Sequence, residues 1–124
     1  METSGAPRSL LLVEDDPANW LTLSALLEEA GFAVDIAESC AQAARYLEGR
    51  PRYDAVLLDS LLGDGNGWEL VPLIRHRVPA ARVVLVSGQE GAGAWTPADA
   101  LFHKGDDVGQ LLECLERLLR RELG

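Results

Sequence analysis

The sequence predicts an α/β chain: a three-layer sandwich in which one parallel sheet of five strands is covered by helices on both sides. Three observations predict it. Short runs recur along the chain, most of them apolar throughout rather than alternating, as in strands buried on both faces. Segments with helical spacing separate these runs, as right-handed crossovers between parallel strands require. Finally, charged or hydroxyl residues stand where the runs end, at the edge where open α/β sheets collect their functional groups.

Each element has a local reason. Residues 1–9 read as a flexible leader, with the domain proper over 10–124. Leu10 to Val13 form an apolar run followed by Glu14, Asp15 and Asp16, a buried strand with a charged exit. Asp16 is placed to cap a helix and Pro17 suits its first position. Trp20, Leu23, Leu27 and Ala30 continue it at helical spacing until Gly31 ends it. "FAVDIA" (32–37) is a second strand. Ser39 caps a helix through Ala43, Ala44 and Leu47 that closes near Gly49 and Pro51. "YDAVLLD" (53–59) is the third strand, and Gly67 to His76 reads as a helix stopped by Pro79. "RVVLVSG" (82–88) and "ALFH" (100–103) supply the fourth and fifth strands. The last helix is the clearest, with Val108, Leu111, Leu112, Leu115, Leu118 and Leu119 on one face.

One connection is short. Only the sixteen residues "GQEGAGAWTPADALFH" separate Ser87 from Lys104. Two loops and a full helix do not fit there at ~1.5 Å per helical residue. Thr96, Pro97 and Asp99 can start a single turn. The fourth helix is therefore expected to be absent or reduced to that turn, with Trp95 partly exposed in a mobile loop.

Composition narrows the function. A chain of 124 residues with 48% hydrophobic and 25% charged residues makes one globular domain. Its net charge of −9 argues against nucleic acid or anionic lipid held by bulk attraction. Cys40 and Cys114 lack metal-ligand spacing and read as two packed thiols of a reducing compartment. No signal peptide or membrane span is visible, so a cytoplasmic location is expected.

The strand ends carry the chemistry. Asp15 and Asp16 follow the first strand, Asp59 ends the third, Ser87 the fourth, and Lys104, the sole lysine, follows the fifth. Converging carboxylates repel unless a cation sits among them, and oxygen ligands without clustered His or Cys favour a hard ion such as Mg²⁺. With an amine and a hydroxyl nearby, the set suits phosphoryl transfer to the central carboxylate, Asp59, giving an acyl phosphate. Strand alternation aims Glu14 away from Asp15, so it is assigned to the surface. Trp20 and Trp68 read as packing residues near this rim, and His76 and His103 as solvated. "GDGNG" (63–67) has neither the dinucleotide spacing nor the sixth-position glycine of a calcium loop; it reads as a sharp bend.

"LLLVEDD", "DAVLLDSLLGDGNGWEL", "VVLVSG" and "LFHKG" resemble, in order, the successive motifs of bacterial response-regulator receiver domains, the chemotaxis-regulator-like family. The resemblance runs from about Leu10 to about Leu119 and implies a flavodoxin-like fold. It makes Asp15 and Asp16 the Mg²⁺-binding acids, Asp59 the phosphoacceptor, Ser87 the switch hydroxyl and Lys104 the phosphate contact. The backbone carbonyl of Leu61 would complete the metal's protein ligands. It further implies phosphorylation by a histidine kinase, a phosphotransfer protein or a small phosphodonor, assisted by the receiver itself, and an output partner that the residues do not name. Three positions depart from the family pattern. Gly105 replaces the usual Pro after the lysine, and Gly63 replaces another. Leu101 stands where many receivers carry Tyr or Phe, and Phe102 faces the opposite side. A phosphorylation-independent interaction module is the alternative reading. A haloacid-dehalogenase-like phosphatase is disfavoured, because Leu61 occupies the place of its acid; turnover of other substrates is not expected. No effector follows the last helix in this sequence, consistent with a stand-alone regulator, a relay intermediate or part of a longer protein.

Overall fold

A computed structural model describes residues 8–49, 52–88 and 98–120 of the chain. In order they form β1 (Arg8–Val13), α1 (Pro17–Glu29), β2 (Phe32–Ala37), α2 (Cys40–Gly49) and β3 (Ala55–Asp59). A small hairpin follows, β4 (Leu61–Leu62) and β5 (Gly65–Asn66). A 3-10 turn (Gly67–Leu70) leads into α3 (Val71–Arg77), and β6 (Arg82–Ser87), β7 (Ala100–His103) and α4 (Val108–Arg120) complete the series.

The five long strands make one parallel sheet in the order β2-β1-β3-β6-β7. Chain order reverses between β1 and β3, so a crevice opens at their carboxyl ends. Alternation along each strand feeds two cores. Leu11, Val13, Val56, Leu58, Val83 and Leu85 pack against Ala43 and Leu47 of α2 and Val71 and Ile74 of α3. Leu10, Leu12, Ala55, Leu57, Val84 and Val86 pack on the other side, against Leu27 of α1 and Leu111, Leu115, Leu118 and Leu119 of α4. The three layers are thus α2 and α3, the sheet, and α1 and α4, as the apolar runs predict. Each fully buried Leu or Val contributes roughly 1.5–3 kcal/mol.

Local chemistry sets the boundaries. Asp16 caps α1 by accepting the Ala18 N–H at 3.1 Å, and Gly31, at φ 104°, follows its end in the left-handed region. Ser39 accepts the Gln42 N–H at 3.0 Å at the start of α2. At the other end of α2, Arg77 donates to the Glu48 carbonyl at 2.9 Å.

Several expectations need adjustment. Arg8 and Ser9, assigned to the leader, belong to β1 and pair with Phe32 and Ala33. Ser9 also donates its N–H to the Asp54 carboxylate at 2.8 Å, a contact no apolar pattern reveals. The helix expected over 67–76 is divided, because Pro72 has no N–H to bond the carbonyl four residues back; its first turn is 3-10 and the α-helix starts at Val71. The expectations of an absent or reduced fourth helix and of a partly exposed Trp95 concern residues 89–97, which lie outside the described residues. Beyond that segment, Asp99 accepts the Val83 N–H at 2.7 Å and pairs with Arg75 at 3.2 Å, fastening the approach to β7. Among the described residues no helix is long and apolar enough to cross a membrane.

Candidate functional site: an acidic rim at the sheet's carboxyl edge

β1 and β3 are neighbours, and β3 runs to its end at Asp59, which is buried at 4% exposure. Burial of a carboxylate needs partners. Lys104, just past β7, supplies one: its Nζ lies 3.0 Å from Asp59 Oδ2. The Leu61 N–H supplies another, donating to Asp59 Oδ1 at 3.3 Å. Ser87, the last residue of β6, is also buried beside this edge, where its carbonyl accepts the Lys104 N–H at 2.8 Å. That bond holds the start of the Lys104 segment against β6.

Glu14, Asp15 and Asp59 each bring a carboxylate oxygen to within 4.8 Å of the others. This corrects two assignments. Glu14 is not a surface residue: it is 2% exposed, and its Oε1 lies 3.7 Å from Lys104 Nζ. Asp16 is not part of the cluster: its carboxylate turns back over α1, bonding Ala18 and reaching Asn19 Nδ2 at 3.5 Å. Strand geometry ends at Val13, so alternation no longer separates Glu14 from Asp15. The Glu14 N–H still bonds Ala37 of β2, and its carboxylate accepts the Asp16 N–H at 3.2 Å.

The electrostatics record a crowded site. Burial pushes the Glu14 carboxyl up to about 7, and the Asp59 charge adds to the effect. For Lys104, burial disfavours the charged form. The hydrogen bond and charge of Asp59, then the charges of Glu14 and Asp15, outweigh it and hold the ammonium above its ordinary value. One ammonium faces three carboxylates, a donor set of hard oxygens with excess negative charge that fits a small divalent cation.

The hairpin roofs this set. Ser60 accepts the Gly67 N–H at 3.0 Å, and Leu61 and Leu62 face Asn66 and Gly65. Antiparallel pairs alternate between bonded and non-bonded, which leaves Leu61 as a non-bonded position. Its N–H lies outside the ladder and meets Asp59. Gly63, at the tip, is close enough to the site that a Cβ there would lie 3.7 Å from Asp15 Oδ2. Gly67 passes so near the Asp59 carbonyl that a Cβ would collide with it.

Other side chains separate as follows. Leu101 joins the α2 and α3 side of the core and Phe102 the α1 and α4 side, facing oppositely as expected. Trp20 packs on the α1 side, but Trp68 is 44% exposed rather than packed. His76 and His103 are exposed. No cis peptide occurs among the described residues.

Residues 10–98 match the family model of the response regulator receiver domain. The photosynthetic apparatus regulatory protein RegA of Rhodobacter capsulatus is 41% identical over 85 residues, 68% of this chain and 45% of that protein. The chain thus spans about half the length of such curated relatives. Among solved structures, the receiver domain of the sensor histidine kinase PA1611 of Pseudomonas aeruginosa PAO1, with a magnesium ion coordinated in its active site cleft, superposes with a TM-score of 0.82. It is 26% identical over 92% of this chain and 98% of that one. The response regulator TrrA of Thermotoga maritima, in complex with Mg²⁺–BeF, gives 0.79 at 26% identity, covering 90% and 98%. With its strand order, its acid cluster and these matches taken together, the chain belongs to the response regulator receiver domain family of two-component signalling.

Proposed function

We infer that this receiver accepts a phosphoryl group on Asp59 from a phosphohistidine donor, a histidine kinase or phosphotransfer protein, in the presence of Mg²⁺. The observation that carries the reading is Asp59 itself: a buried carboxylate at the end of a central strand, bonded to the only lysine and crowded by two further acids. Glu14, Asp15, Asp59 and the Leu61 carbonyl would hold the cation, whose bound charge would let carboxylates and phosphoryl oxygens share the site.

The chain's own groups account for the rest. One Asp59 oxygen attacks phosphorus while the P–N bond to the donor imidazole breaks; the imidazole leaves with the bonding pair and takes up a proton. Lys104 is already on Asp59 Oδ2 and needs only a small shift to meet a phosphoryl oxygen. The Leu61 N–H holds the other carboxylate oxygen and fixes the plane of attack. The Ser87 hydroxyl, at the end of the adjacent strand, would take a phosphoryl oxygen after transfer.

Titrating Mg²⁺ and then beryllofluoride while following tryptophan fluorescence tests the reading, with Trp20 and Trp68 as reporters. Saturable changes that require Mg²⁺ and disappear in Asp59→Asn support phosphoacceptance. No Mg²⁺ response in the wild type would point instead to a phosphorylation-independent interaction module.

A further inference from the structure

The loop after Asp59 does more than bend. Asp64, at the hairpin tip, reaches across to α2 and accepts two of its first free N–H groups, from Cys40 at 2.9 Å and Ala41 at 3.1 Å. Two of the four donors left open at that helix start are therefore satisfied by a residue from a different connection. Those bonds hold the Asp64 carboxyl below its usual range, so it stays an anion facing the positive end of the helix. The other end of the hairpin cannot drift from Asp59. Ser60 and Gly67 are hydrogen-bonded, and Gly67 has no room between its Cα and the Asp59 carbonyl. Between these anchors lie the Leu61 N–H on Asp59 Oδ1 and Gly63 beside Asp15.

We propose that Asp64 is a positioning residue that couples the Asp59 site to helix α2. By pinning the hairpin tip, it holds the Leu61 backbone in place over the acids; a cation bound there and an ordered α2 start then stabilise one another. The coupling rests on the reading of Glu14, Asp15 and Asp59 as a cation site. It provides a route from the phosphoacceptor to the α2 surface that uses neither Leu101 nor the connection between β6 and β7. By linkage the effect is reciprocal: whatever Asp64 contributes to cation affinity, the cation returns as protection of α2.

Ser39 makes the test selective. It too caps α2, through the Gln42 N–H, but does so from the residue just before the helix rather than from the hairpin. Mg²⁺ affinity is measured by titration in wild type, Asp64→Ala, Asp64→Asn and Ser39→Ala. Amide hydrogen exchange at Cys40 and Ala41 is followed in parallel with and without Mg²⁺. Coupling predicts a loss of roughly fivefold or more in Mg²⁺ affinity for Asp64→Ala, a smaller loss for Asp64→Asn, whose amide oxygen still accepts, and at most a slight loss for Ser39→Ala, which loosens the helix start but leaves the hairpin pinned. It also predicts that Mg²⁺ slows exchange of both amides in the wild type, a result that needs no variant to fold. Equal losses in Asp64→Ala and Ser39→Ala, or Mg²⁺ binding without added protection, would overturn the coupling while leaving the cation site standing. Failure of the wild type to bind Mg²⁺ would remove both.

Discussion

Replacing Glu14 with glutamine should stabilise the metal-free protein at pH 8. Glu14 is buried, with carboxylate oxygens of Asp59 and Asp15 within 4.8 Å and Lys104 3.7 Å away. Its carboxyl is pushed from 4.5 to about 7 in the folded chain. The folded state then binds this proton more tightly than the unfolded state, so stability falls as pH rises from about 4.5 to about 7 and levels off above. At ~1.4 kcal/mol per pH unit the full effect has a ceiling of roughly 3 kcal/mol. Asp15 is exposed and water reaches that side, so roughly 1–2 kcal/mol is expected to survive screening. Glutamine keeps an oxygen for the Asp16 N–H, now at 3.2 Å, and removes the charge. Urea denaturation in EDTA at several pH values, wild type against variant, measures the difference. The two should converge near pH 5, and the variant should lead by roughly 1–2 kcal/mol at pH 8. Excess Mg²⁺ should reverse that order, because the ion needs the carboxylate. A variant with the wild-type pH slope would mean that Glu14 carries its charge without penalty, and the crowding argument would fail.

Gly67→Ala forces a Cβ against the Asp59 carbonyl and should cost roughly 2–3 kcal/mol, read from the denaturation midpoint; wild-type stability would show that the close approach is not required. Leu61 is 55% exposed beside Asp59 and cannot orient water, so Leu61→Asn should hasten loss of the acyl phosphate several-fold. An unchanged or slower decay would contradict that. Burial, with the charges of Asp64 and Glu69 behind it, pushes the Cys40 thiol up to about 11. Iodoacetamide at pH 8 should therefore label it on the order of a hundredfold more slowly than an ordinary thiol, by peptide mapping. Rapid labelling would refute the packing around it.

The elements that the sequence reveals are those whose signal is local. Leu10 to Val13 and Val83 to Val86 are apolar because both faces of their strands are covered, and α4 shows its stripe because only one face is. Asp16 and Pro17 mark a helix start through backbone bonding that needs nothing else in the fold. What escapes is whatever depends on where a strand stops. Carrying alternation one residue beyond Val13 sends Glu14 outward, whereas the real chain leaves strand geometry there and brings it to Asp59. The strand-end reading and the resemblance then both put the acid pair at Asp15 and Asp16, although the cap role of Asp16 is visible in the same residues. The hairpin is missed because strands of two residues have no period to detect. Its anchor on α2 is missed because Asp64 and Cys40 are far apart along the chain.

The most direct measurement locates the phosphoryl group. The protein is incubated with Mg²⁺ and a small phosphodonor, then digested and mapped by mass spectrometry. The account predicts one acid-stable, base-labile phosphoryl group within the peptide carrying Asp59, absent without Mg²⁺ and absent from Asp59→Asn. Modification of another side chain, or an Asp59→Asn protein labelled as fully as the wild type, would contradict it.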